Sequence, residues 1–529
     1  MIRKLTSTRL LLVTALFLVL FDNLAFFGNV FKAYPPVVEN LAFLISLAVV
    51  LPATTALFLL LICFRYSIKP LLIALLLVAS VTGYFMNTYN TIIDVGMVQN
   101  AAQTSFRETI DLFSWRLLAY LVLLGILPSV AVFRVRLEYG SFRTELLSRL
   151  KMGGVALLLV VLPVLGLSKY YASFFREHKE LRYYANPLTV IYSTGKYLGR
   201  TYGGGPDKVK AIGEDAAIPA TDSDRELVVL VVGEAARADH FSLNGYGRET
   251  NPLLAREDIV NFGDIHSCGT STAVSVPCMF SIFGREGYTD TKGRTTQNVL
   301  DVLSRAGVTV LWRDNNSDSK GVALRVKYED YQNPTVNPVC DVECRDEGML
   351  VGLQEYIDSQ KKGDILIVLH QMGNHGPAYY KRYPAAFEKF TPVCRSNQLE
   401  TCSNEEIGNA YDNAILYTDY FLSKVIDLLK RNDPSFETAL FYLSDHGESI
   451  GENGLYLHGL PYFMAPEAQT HVGAVMWFGR NFKVDRQAVR TEAARSLTQD
   501  NLFHTLLGIM EVDTGVYDRS KDIVNYKGE

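Results

Sequence analysis

The sequence lacks a CxxC motif, an internal repeat, a low-complexity tract and any excess of positive charge. Its 51 Lys and Arg against 56 Asp and Glu leave a formal net charge of −5, which gives no indication of nucleic-acid binding. Without CxxC spacing, zinc sites are the weaker interpretation of the six cysteines that follow residue 260. Their close pairs favour local disulfides and an oxidising compartment: Cys268 and Cys278, Cys340 and Cys344, Cys394 and Cys402.

The first third of the chain is strongly apolar and contains five runs that are candidates for membrane spans. The last two have roughly 17 uncharged residues, near the lower limit for a spanning helix, and the others reach about 20 or more. A cleavable signal peptide explains the first run less well, because four more runs follow and no small-residue cleavage site stands out. We predict a five-helix transmembrane domain over residues 1–172, with spans near Leu10–Val30, Leu41–Phe64, Pro70–Ile93, Leu117–Phe133 and Met152–Ser168.

Basic residues are concentrated before the first span, between the second and third, and between the fourth and fifth. The positive-inside rule then places the N-terminus in the cytoplasm and the region after the fifth span outside it. This agrees with the disulfide interpretation, which depends on different residues. An amphipathic stretch and the Gly-rich segment after it predict an interfacial bridging helix and a linker over residues 173–225.

The loop between the third and fourth spans, Tyr89–Leu112, is long and polar. Asn100, Thr104 and Glu108 lie at positions i, i+4 and i+8, so their spacing predicts one shared helix face. A solvated helix face without a functional role explains the same spacing.

From residue 226 to residue 529, short β-branched runs alternate with helical patterns. Alternation of this kind predicts an α/β domain with a largely parallel central sheet and helices on both faces. The predicted strands are Leu227–Val232, Val308–Trp312, Ile365–Leu369, Thr438–Leu443 and Val472–Phe478, and the predicted helices include Thr296–Ala306, Met349–Lys361 and Asn409–Lys430.

Four of these strands end in residues that carry chemistry. In open α/β sheets, ligands bind beyond the carboxyl ends of the strands. The candidate residues are Glu234 after the first strand, Asn316 and Lys320 after the second, His375 after the third, and Asp445 and His446 after the fourth. One such ending is unremarkable, but four together predict a functional site at this edge of the sheet.

Glu234, Asp445 and His446 form a two-oxygen, one-nitrogen ligand set that suits Zn²⁺ with one open position. Thr272 begins a segment that predicts a helix over Ala273–Ile282, and its hydroxyl could occupy that position. Metal coordination favours the alkoxide of a hydroxyl that is otherwise a poor nucleophile. The alternative is a helix-capping Thr in a disulfide-closed loop. His375, His458 and Lys320 are candidates for phosphate binding, and the two histidines also for proton transfer or a second metal ion.

The sequence resembles the inner-membrane phosphoethanolamine transferases, including the lipid A-modifying and mobile colistin-resistance enzymes of the alkaline phosphatase-like superfamily. The resemblance covers nearly the whole chain and is carried by VVGEAARADHFSLNGYGRETNP, SCGTSTAVSVPCMFS, WRDNNSDSKGV, HQMGNHGPAYYKRYP and YLSDHGESIGENGLYLHGLPY. It implies Thr272, not Thr270, as nucleophile, with Glu234, Asp445 and His446 as zinc ligands, and three sequential disulfides. It also implies that His375 and His458 are substrate-side histidines, sometimes seen with additional zinc, and that Asn316 and Lys320 contact the donor headgroup or phosphate. Four residues are implied to help bind the lipid donor: Tyr89, Asn100, Thr104 and Glu108.

The implied reaction is ping-pong transfer of phosphoethanolamine from phosphatidylethanolamine, through Thr272, to a lipid A phosphate. The resemblance further implies one zinc at the nucleophile, with room for more, and a monomer in the bacterial inner membrane whose catalytic domain is periplasmic. Capping an anionic phosphate with a cationic amine lowers surface charge and weakens the binding of cationic peptides such as polymyxins. The alternatives are another envelope acceptor, a phosphoglycerol transferase or hydrolase, and a non-catalytic lipid-binding membrane protein.

Overall fold

Apolar helices form the N-terminal part of the chain in a computed structural model, which describes residues 4–104, 106–176, 178, 180–202 and 209–524. Four helices are long and apolar enough to cross a membrane: Val38–Ile62, Ile68–Tyr89, Trp115–Arg134 and Phe142–Gly166. A fifth candidate is the pair Ser7–Asp22 and Leu24–Ala33, which is bent by 61°. The five predicted spans therefore correspond to four single helices and one bent pair.

The bend of the first span has a side-chain cause. Asn23 lies between the two helices, and its Nδ2 donates to the carbonyls of Leu18, at 3.0 Å, and Asn186, at 2.7 Å. The Leu18 carbonyl is thus bonded by a side chain near the end of the first helix, and insertion of such a group into the helical ladder produces a kink.

The described chain divides into two compact units. One consists of Met1–Val98 and Phe113–Gly199, and the other of Gln99–Leu112 and Arg200–Glu529. The second half of the loop between the third and fourth spans, Gln99–Leu112, therefore belongs to the same unit as the C-terminal part of the chain. The domain boundaries near residues 172 and 225 stay predictions. The shorter helices of this part are Val95–Gln103, Phe106–Asp111, Ser168–Arg176 and Leu188–Tyr202.

The second unit is built on a seven-stranded sheet. In chain order its strands are β1 (Glu226–Gly233), β2 (Ile259–Phe262), β3 (Thr309–Asp314), β4 (Lys327–Asp330), β5 (Ile365–His370), β6 (Glu437–Ser444) and β7 (Ala474–Phe478). Their spatial order is β2-β7-β6-β1-β5-β3-β4. The five strands from β6 to β4 are parallel, and β7 is antiparallel to both β6 and β2.

The sequence of β1, ELVVLVVG, explains its central place. All eight residues are buried, as expected for a strand that is covered by helices on both faces. The prediction of a largely parallel α/β sheet is confirmed. The sequence did not show β2 and β4, or the antiparallel direction of β7, because short edge strands carry weak patterns and strand direction depends on connections.

Helices surround this sheet. They are Thr272–Met279, Gly284–Gly287, Asp290–Thr295, Val299–Ala306, Leu353–Ser359, Asn404–Asn432, Glu467–Thr470, Arg486–Ala493 and Leu502–Ile509. The helix predicted from Asn409 begins earlier, at Asn404, because Ser403 and Glu406 form a capping box there. The helix predicted from Thr296 begins at Val299, because Asn298 and Asp301 form another.

Three disulfides join the expected pairs: Cys268–Cys278, Cys340–Cys344 and Cys394–Cys402. The first encloses the start of the helix Thr272–Met279. The seventh cysteine of the sequence, Cys63, is buried and has no disulfide partner among the described residues.

We expect the double change Cys268→Ser, Cys278→Ser to lower the free energy of unfolding by about 3 kcal/mol, because a bridge over a loop of this size constrains the unfolded chain by that amount. Cys394→Ser with Cys402→Ser is a matched control, since the sequence separations are 10 and 8 residues. Thermal unfolding should show similar losses for both. Hydrogen exchange near Thr272 should increase only for the first, and an unchanged melting temperature would contradict the bridge.

Candidate active site

Glu234, Asp445 and His446 meet beyond the carboxyl ends of β1 and β6. Gly233 and Ser444 are paired in register, so the residues that follow them emerge side by side. His446 Nε2 lies 3.3 Å from Glu234 Oε1 and 3.4 Å from Asp445 Oδ2. All three side chains are fully buried. The topology of the sheet thus assembles the predicted ligand set.

Thr272 brings a hydroxyl to the same point. Its Oγ1 lies 3.0 Å from Glu234 Oε2 and 3.3 Å from His446 Nε2. Thr272 is the first residue of its helix, where backbone N–H groups and the helix dipole favour negative charge. The hydroxyl of Thr270 instead donates to the carbonyl of Leu460 at 2.6 Å. Of these two threonines, only Thr272 therefore reaches Glu234 and His446.

The cluster has the features of a metal site. Glu234 Oε1 and Asp445 Oδ2 are buried, and neither accepts a hydrogen bond from the described residues. His446 Nδ1 lies 2.8 Å from the carbonyl of Gly447, which accepts its proton and leaves the Nε2 lone pair facing the two carboxylates. Two buried carboxylates require a cation. These residues therefore fit a metal ion bound by two oxygens and one nitrogen.

The same charges couple the protonation of the three side chains. Burial lowers the pKa of His446, but Asp445 and Glu234 outweigh it and raise that pKa to about 10. Burial and the nearby charge of Glu234 raise the pKa of Asp445 to about 6. Without a metal ion, a proton on His446 thus supplies the positive charge, and metal binding releases that proton.

Asn316 orients the first carboxylate. Its Nδ2 donates to Glu234 Oε2 at 2.9 Å and to the carbonyl of Gln371 at 2.7 Å, while its Oδ1 accepts from the backbone N–H of Ser317 at 2.6 Å. The structure thus gives this amide a role in positioning Glu234. Its predicted contact with the donor headgroup stays a prediction.

Asp346 is a second positioning residue, and sequence analysis missed it. It is 3% exposed. Its Oδ1 accepts from Asn315 Nδ2 and from the backbone N–H of Met372, both at 2.8 Å. Its Oδ2 accepts from the N–H of Gly373 at 3.2 Å. One carboxylate therefore fixes the loops after β3 and β5. No spacing rule connects Asp346 with these partners, so the sequence held no signal for it.

A second acidic and histidine group adjoins the first. His458 Nδ1 lies 2.8 Å from Glu448 Oε2, and Tyr379 donates its hydroxyl to Glu448 Oε1 at 2.8 Å. The ring centroids of His458 and His446 are 4.3 Å apart, and those of His375 and His458 are 6.1 Å apart. Donor atoms of His446, Glu448 and His458 lie within 4.8 Å of one another. Glu448 was missed, although it follows His446 by only two positions.

Comparison with known proteins gives one consistent result along the whole chain. The family model described as Phosphoethanolamine transferase EptA/EptB matches residues 51–202, and the Sulfatase model matches residues 226–512. Phosphatidylethanolamine transferase Mcr-2 of Escherichia coli is 46% identical, over 96% of this chain and 96% of that protein. Phosphoethanolamine transferase EptA of E. coli K12 is 39% identical, over 97% and 96%.

The chain belongs to the phosphoethanolamine transferase family. Its fold agrees: the integral membrane lipooligosaccharide phosphoethanolamine transferase A (EptA) of Neisseria meningitidis superposes with a TM-score of 0.95 at 36% identity, covering 99% of both chains. The family resemblance, the enzyme class and the fold expected from the sequence are confirmed.

Two further predicted residues lie outside this cluster: Lys320 in the loop after β3 and Tyr89 in the first compact unit. Lys320 Nζ donates to the carbonyl and hydroxyl oxygens of Ser317, both at 2.7 Å, and to the carbonyl of Gln103 at 3.4 Å. Tyr89 ends the helix Ile68–Tyr89 in the other unit, with its hydroxyl 3.3 Å from that of Tyr84.

The predicted shared face of Asn100, Thr104 and Glu108 is wrong. The first helix of this loop ends at Gln103 and the next begins at Phe106. Thr104 donates its hydroxyl to the carbonyl of Asn100 at 2.8 Å, which competes with a continuing helical bond. The side chain of Glu108 lies outside the described residues.

The segment 99–112 nevertheless makes hydrogen bonds and ion pairs with the C-terminal part of the second compact unit. Gln99 Nε2 donates to the carbonyl of Ala273, next to Thr272, at 3.3 Å, and to Asp290 Oδ1 at 3.1 Å. At its other end Asp111 is ion-paired with Arg382 at 2.8 Å and with Lys381. A loop between two membrane helices thus contacts the helix that begins with the candidate nucleophile.

Gly373→Ala tests how tightly the first ligand is held. Gly373 has φ +48°, and an added Cβ would lie 2.9 Å from the carbonyl oxygen of Glu234. Gly352, with φ +72° and open space around it, is a matched control for backbone strain alone. We expect Gly352→Ala to cost about 1 kcal/mol of unfolding free energy and Gly373→Ala about 3 kcal/mol.

The metal content separates the two variants further, because only Gly373→Ala moves Glu234. Elemental analysis should show metal loss for Gly373→Ala and none for Gly352→Ala. Equal stability and equal metal content in the two variants would contradict the close contact.

Proposed function

We propose that the enzyme transfers phosphoethanolamine from phosphatidylethanolamine to a lipid A phosphate through a phosphoethanolamine-modified Thr272. The names of two relatives support the donor and the acceptor class: phosphatidylethanolamine for Mcr-2 and lipooligosaccharide for the Neisseria protein. The carrying observation is the position of the Thr272 hydroxyl, 3.0 Å from Glu234 and 3.3 Å from His446 at the start of a helix.

Zinc is the metal that the ligand types support best. Glu234, Asp445 and His446 would hold it, with the Thr272 oxygen as the fourth donor. When bound, it supplies Lewis-acid chemistry that lowers the pKa of the hydroxyl and neutralises negative charge. A second ion would take Glu448 and His458 as its donors, because His446 Nε2 faces the first site, and the proton transfer described next belongs to the form with one ion.

In the first half-reaction, Thr272 Oγ1 forms a bond to phosphorus and the bond from phosphorus to the diacylglycerol oxygen breaks. The hydroxyl proton of Thr272 passes to water, and the diacylglycerol oxygen takes up a proton from a donor that water then reprotonates. We assign the proton donor as His458, whose Nδ1 is held by Glu448 and whose ring lies beside that of His446. In the second half-reaction, an oxygen of the lipid A phosphate bonds to phosphorus and Thr272 Oγ1 leaves, regaining its proton.

Donor binding falls to residues around this centre. Among the described residues, the Lys320 ammonium donates to neutral oxygens, so its charge is available to a phosphate. The His375 ring centroid lies 6.1 Å from that of His458, so we assign both histidines to headgroup binding. Asn316 contributes indirectly, because its amide holds the Glu234 carboxylate in place. Binding of the lipid donor by Tyr89, Asn100, Thr104 and Glu108 rests on the family resemblance.

The proposed location is the bacterial inner membrane, with the catalytic unit in the periplasm and the enzyme acting as a monomer. The apolar helices support membrane insertion. The three disulfides support an oxidising compartment for the catalytic unit. Basic residues between alternate spans support the same orientation.

Thr272→Ala is expected to abolish transfer, because it removes the oxygen that forms the bond to phosphorus. The measurement is mass spectrometry of lipid A from cells that express the wild type or the variant. Thr270→Ala is a matched control: it removes the same hydroxyl two positions away, where it bonds only to a carbonyl. Wild type and control should give the phosphoethanolamine adduct, and an adduct with Thr272→Ala would overturn the nucleophile assignment.

The purified enzyme distinguishes the alternatives. Release of diacylglycerol from phosphatidylethanolamine without a lipid A adduct would point to another envelope acceptor. Release of free phosphoethanolamine would point to a hydrolase. No release by folded wild type, with lipid binding retained, would point to a non-catalytic lipid-binding protein.

Glu234→Gln should lower zinc content at the Thr272 site and reduce transfer by about 100-fold or more, since even outer-shell partners of metal ligands change activity by that order. Glu329→Gln is a suitable control, because the Glu329 carboxylate is paired with Arg313 and Lys327 rather than with a proposed metal ligand. Elemental analysis gives the zinc-to-protein ratio of each. Zinc content unchanged by Glu234→Gln would remove this residue from the ligand set.

A further inference from the structure

The opposite edge of the central sheet carries a second concentration of carboxylates. The three adjacent parallel strands β6, β1 and β5 begin at Glu437, Glu226 and, one residue after Asp364, Ile365. Glu226 and Glu437 are paired in register, a placement in which like charges destabilise a sheet. Glu226 is fully buried, and Asp364 and Glu437 are 3% and 5% exposed. Burying three carboxylates side by side costs folding free energy, and a bound ligand of opposite charge would offset that cost.

Glu226 is the unsatisfied member of this group. Neither of its carboxylate oxygens accepts a hydrogen bond from a donor in the described part of the chain. Its neighbours differ: Asp364 Oδ1 accepts from the backbone N–H of Glu226 at 3.2 Å, and Glu437 Oε2 accepts from that of Lys483 at 3.0 Å. A buried carboxylate with no donor costs several kcal/mol unless a proton or a cation neutralises it.

Two sets of three oxygens share Glu226. One is completed by Asp222 and Asp364, the other by Glu437 and Glu511, and within each set one oxygen from each residue lies within 4.8 Å of the others. This spacing is that of ligands around one ion. All the donors are carboxylates, which suit Ca²⁺ and Mg²⁺ rather than zinc.

Two basic side chains in the described part of the chain lie beside this group, Lys483 and Arg225. Lys483 Nζ is 3.6 Å from Glu437 Oε1, but it is 60% exposed and also paired with Asp224. The Arg225 guanidinium donates to the carbonyls of Gly363 and Gln360. Burial, the charge of Asp364 and a hydrogen bond with Asp364 raise the pKa of Glu226 to about 10, so without a cation Glu226 takes up a proton.

A cavity gives access to this group. Its volume is about 1290 Å³, and its lining includes Asp222, Asp224, Lys483 and Glu511. Two of the five carboxylate residues therefore reach solvent-accessible space. The cavity provides an entry path and room for the water ligands that hard divalent cations retain.

We propose that Glu226 binds a divalent cation of the calcium class together with Asp222 and Asp364, at the edge of the sheet opposite the catalytic metal site, with Glu437 and Glu511 as the adjoining oxygen set. The ion ties the starts of β1 and β5 to Asp222, which precedes β1. Its role is structural, and it is independent of the proposed transfer reaction.

Equilibrium dialysis with ⁴⁵Ca²⁺ tests this site in the full-length, zinc-loaded protein in non-ionic detergent. Wild type should bind Ca²⁺ saturably below 1 mM, in the range of sites outside the cytosol, and Ca²⁺ should raise its melting temperature. Glu226→Gln should weaken binding at least tenfold. Asp224→Asn is the matched control, because it removes one charge from the same edge but belongs to neither oxygen set, and it should bind as wild type does.

Two further variants make the outcome decisive. Asp222→Asn changes a half-buried position outside the strands, so it replaces Glu226→Gln if the latter does not fold, and it should also weaken binding. Glu234→Gln should leave Ca²⁺ binding unchanged, because it alters the other edge of the sheet. The proposal is overturned if wild type binds no Ca²⁺ or Mg²⁺, or if Glu234→Gln abolishes binding. It is also overturned if Glu226→Gln stabilises the protein without affecting Ca²⁺, which would identify a carboxyl pair that shares a proton.

Discussion

The burial of two carboxylates beside one imidazole is the constraint on which the catalytic edge depends. Glu234 and Asp445 are removed from water. The His446 imidazole lies within 3.4 Å of both carboxylates, so a proton or a cation at that position balances their charges. Such a group is stable only if its geometry is held and a cation is present. The surrounding structure supplies the geometry: Asn316 holds Glu234, and the backbone N–H groups of Ala235 and His446 hold Asp445.

The loops around these ligands are also held in place by a buried carboxylate, that of Asp346. Asp346 is itself a buried carboxylate, but it is satisfied by an amide and two backbone N–H groups, so it needs no metal. It holds Gly373 against Glu234, where a side chain would not fit. Carboxylates with and without hydrogen-bond donors therefore have different roles in one site. Asp346 holds the loops in place, whereas Glu234 and Asp445 keep oxygens for the proposed metal ion.

Sequence analysis predicted the ligand set because each ligand directly follows a hydrophobic strand. Once the strands are parallel neighbours, register alone brings Glu234 beside Asp445. Asp346 could not be predicted in this way, since its partners Met372 and Gly373 lie 26 and 27 residues away and are contacted through backbone N–H groups. The helix break after Gln103 was missed for a similar reason, because helical spacing does not register a Thr104 hydroxyl that bonds back to Asn100.

The two edges of the sheet illustrate how donor type selects an ion. At the carboxyl edge, an imidazole and a hydroxyl join two carboxylates, a mixture that suits zinc and leaves a reactive oxygen at the metal. At the amino edge, every donor is a carboxylate, and no described imidazole or thiol belongs to either oxygen set. That composition can hold a hard cation but offers no nucleophile. The same parallel sheet that gathers a reactive site at one end therefore gathers only a binding site at the other, because the residue types that end its strands differ from those that begin them.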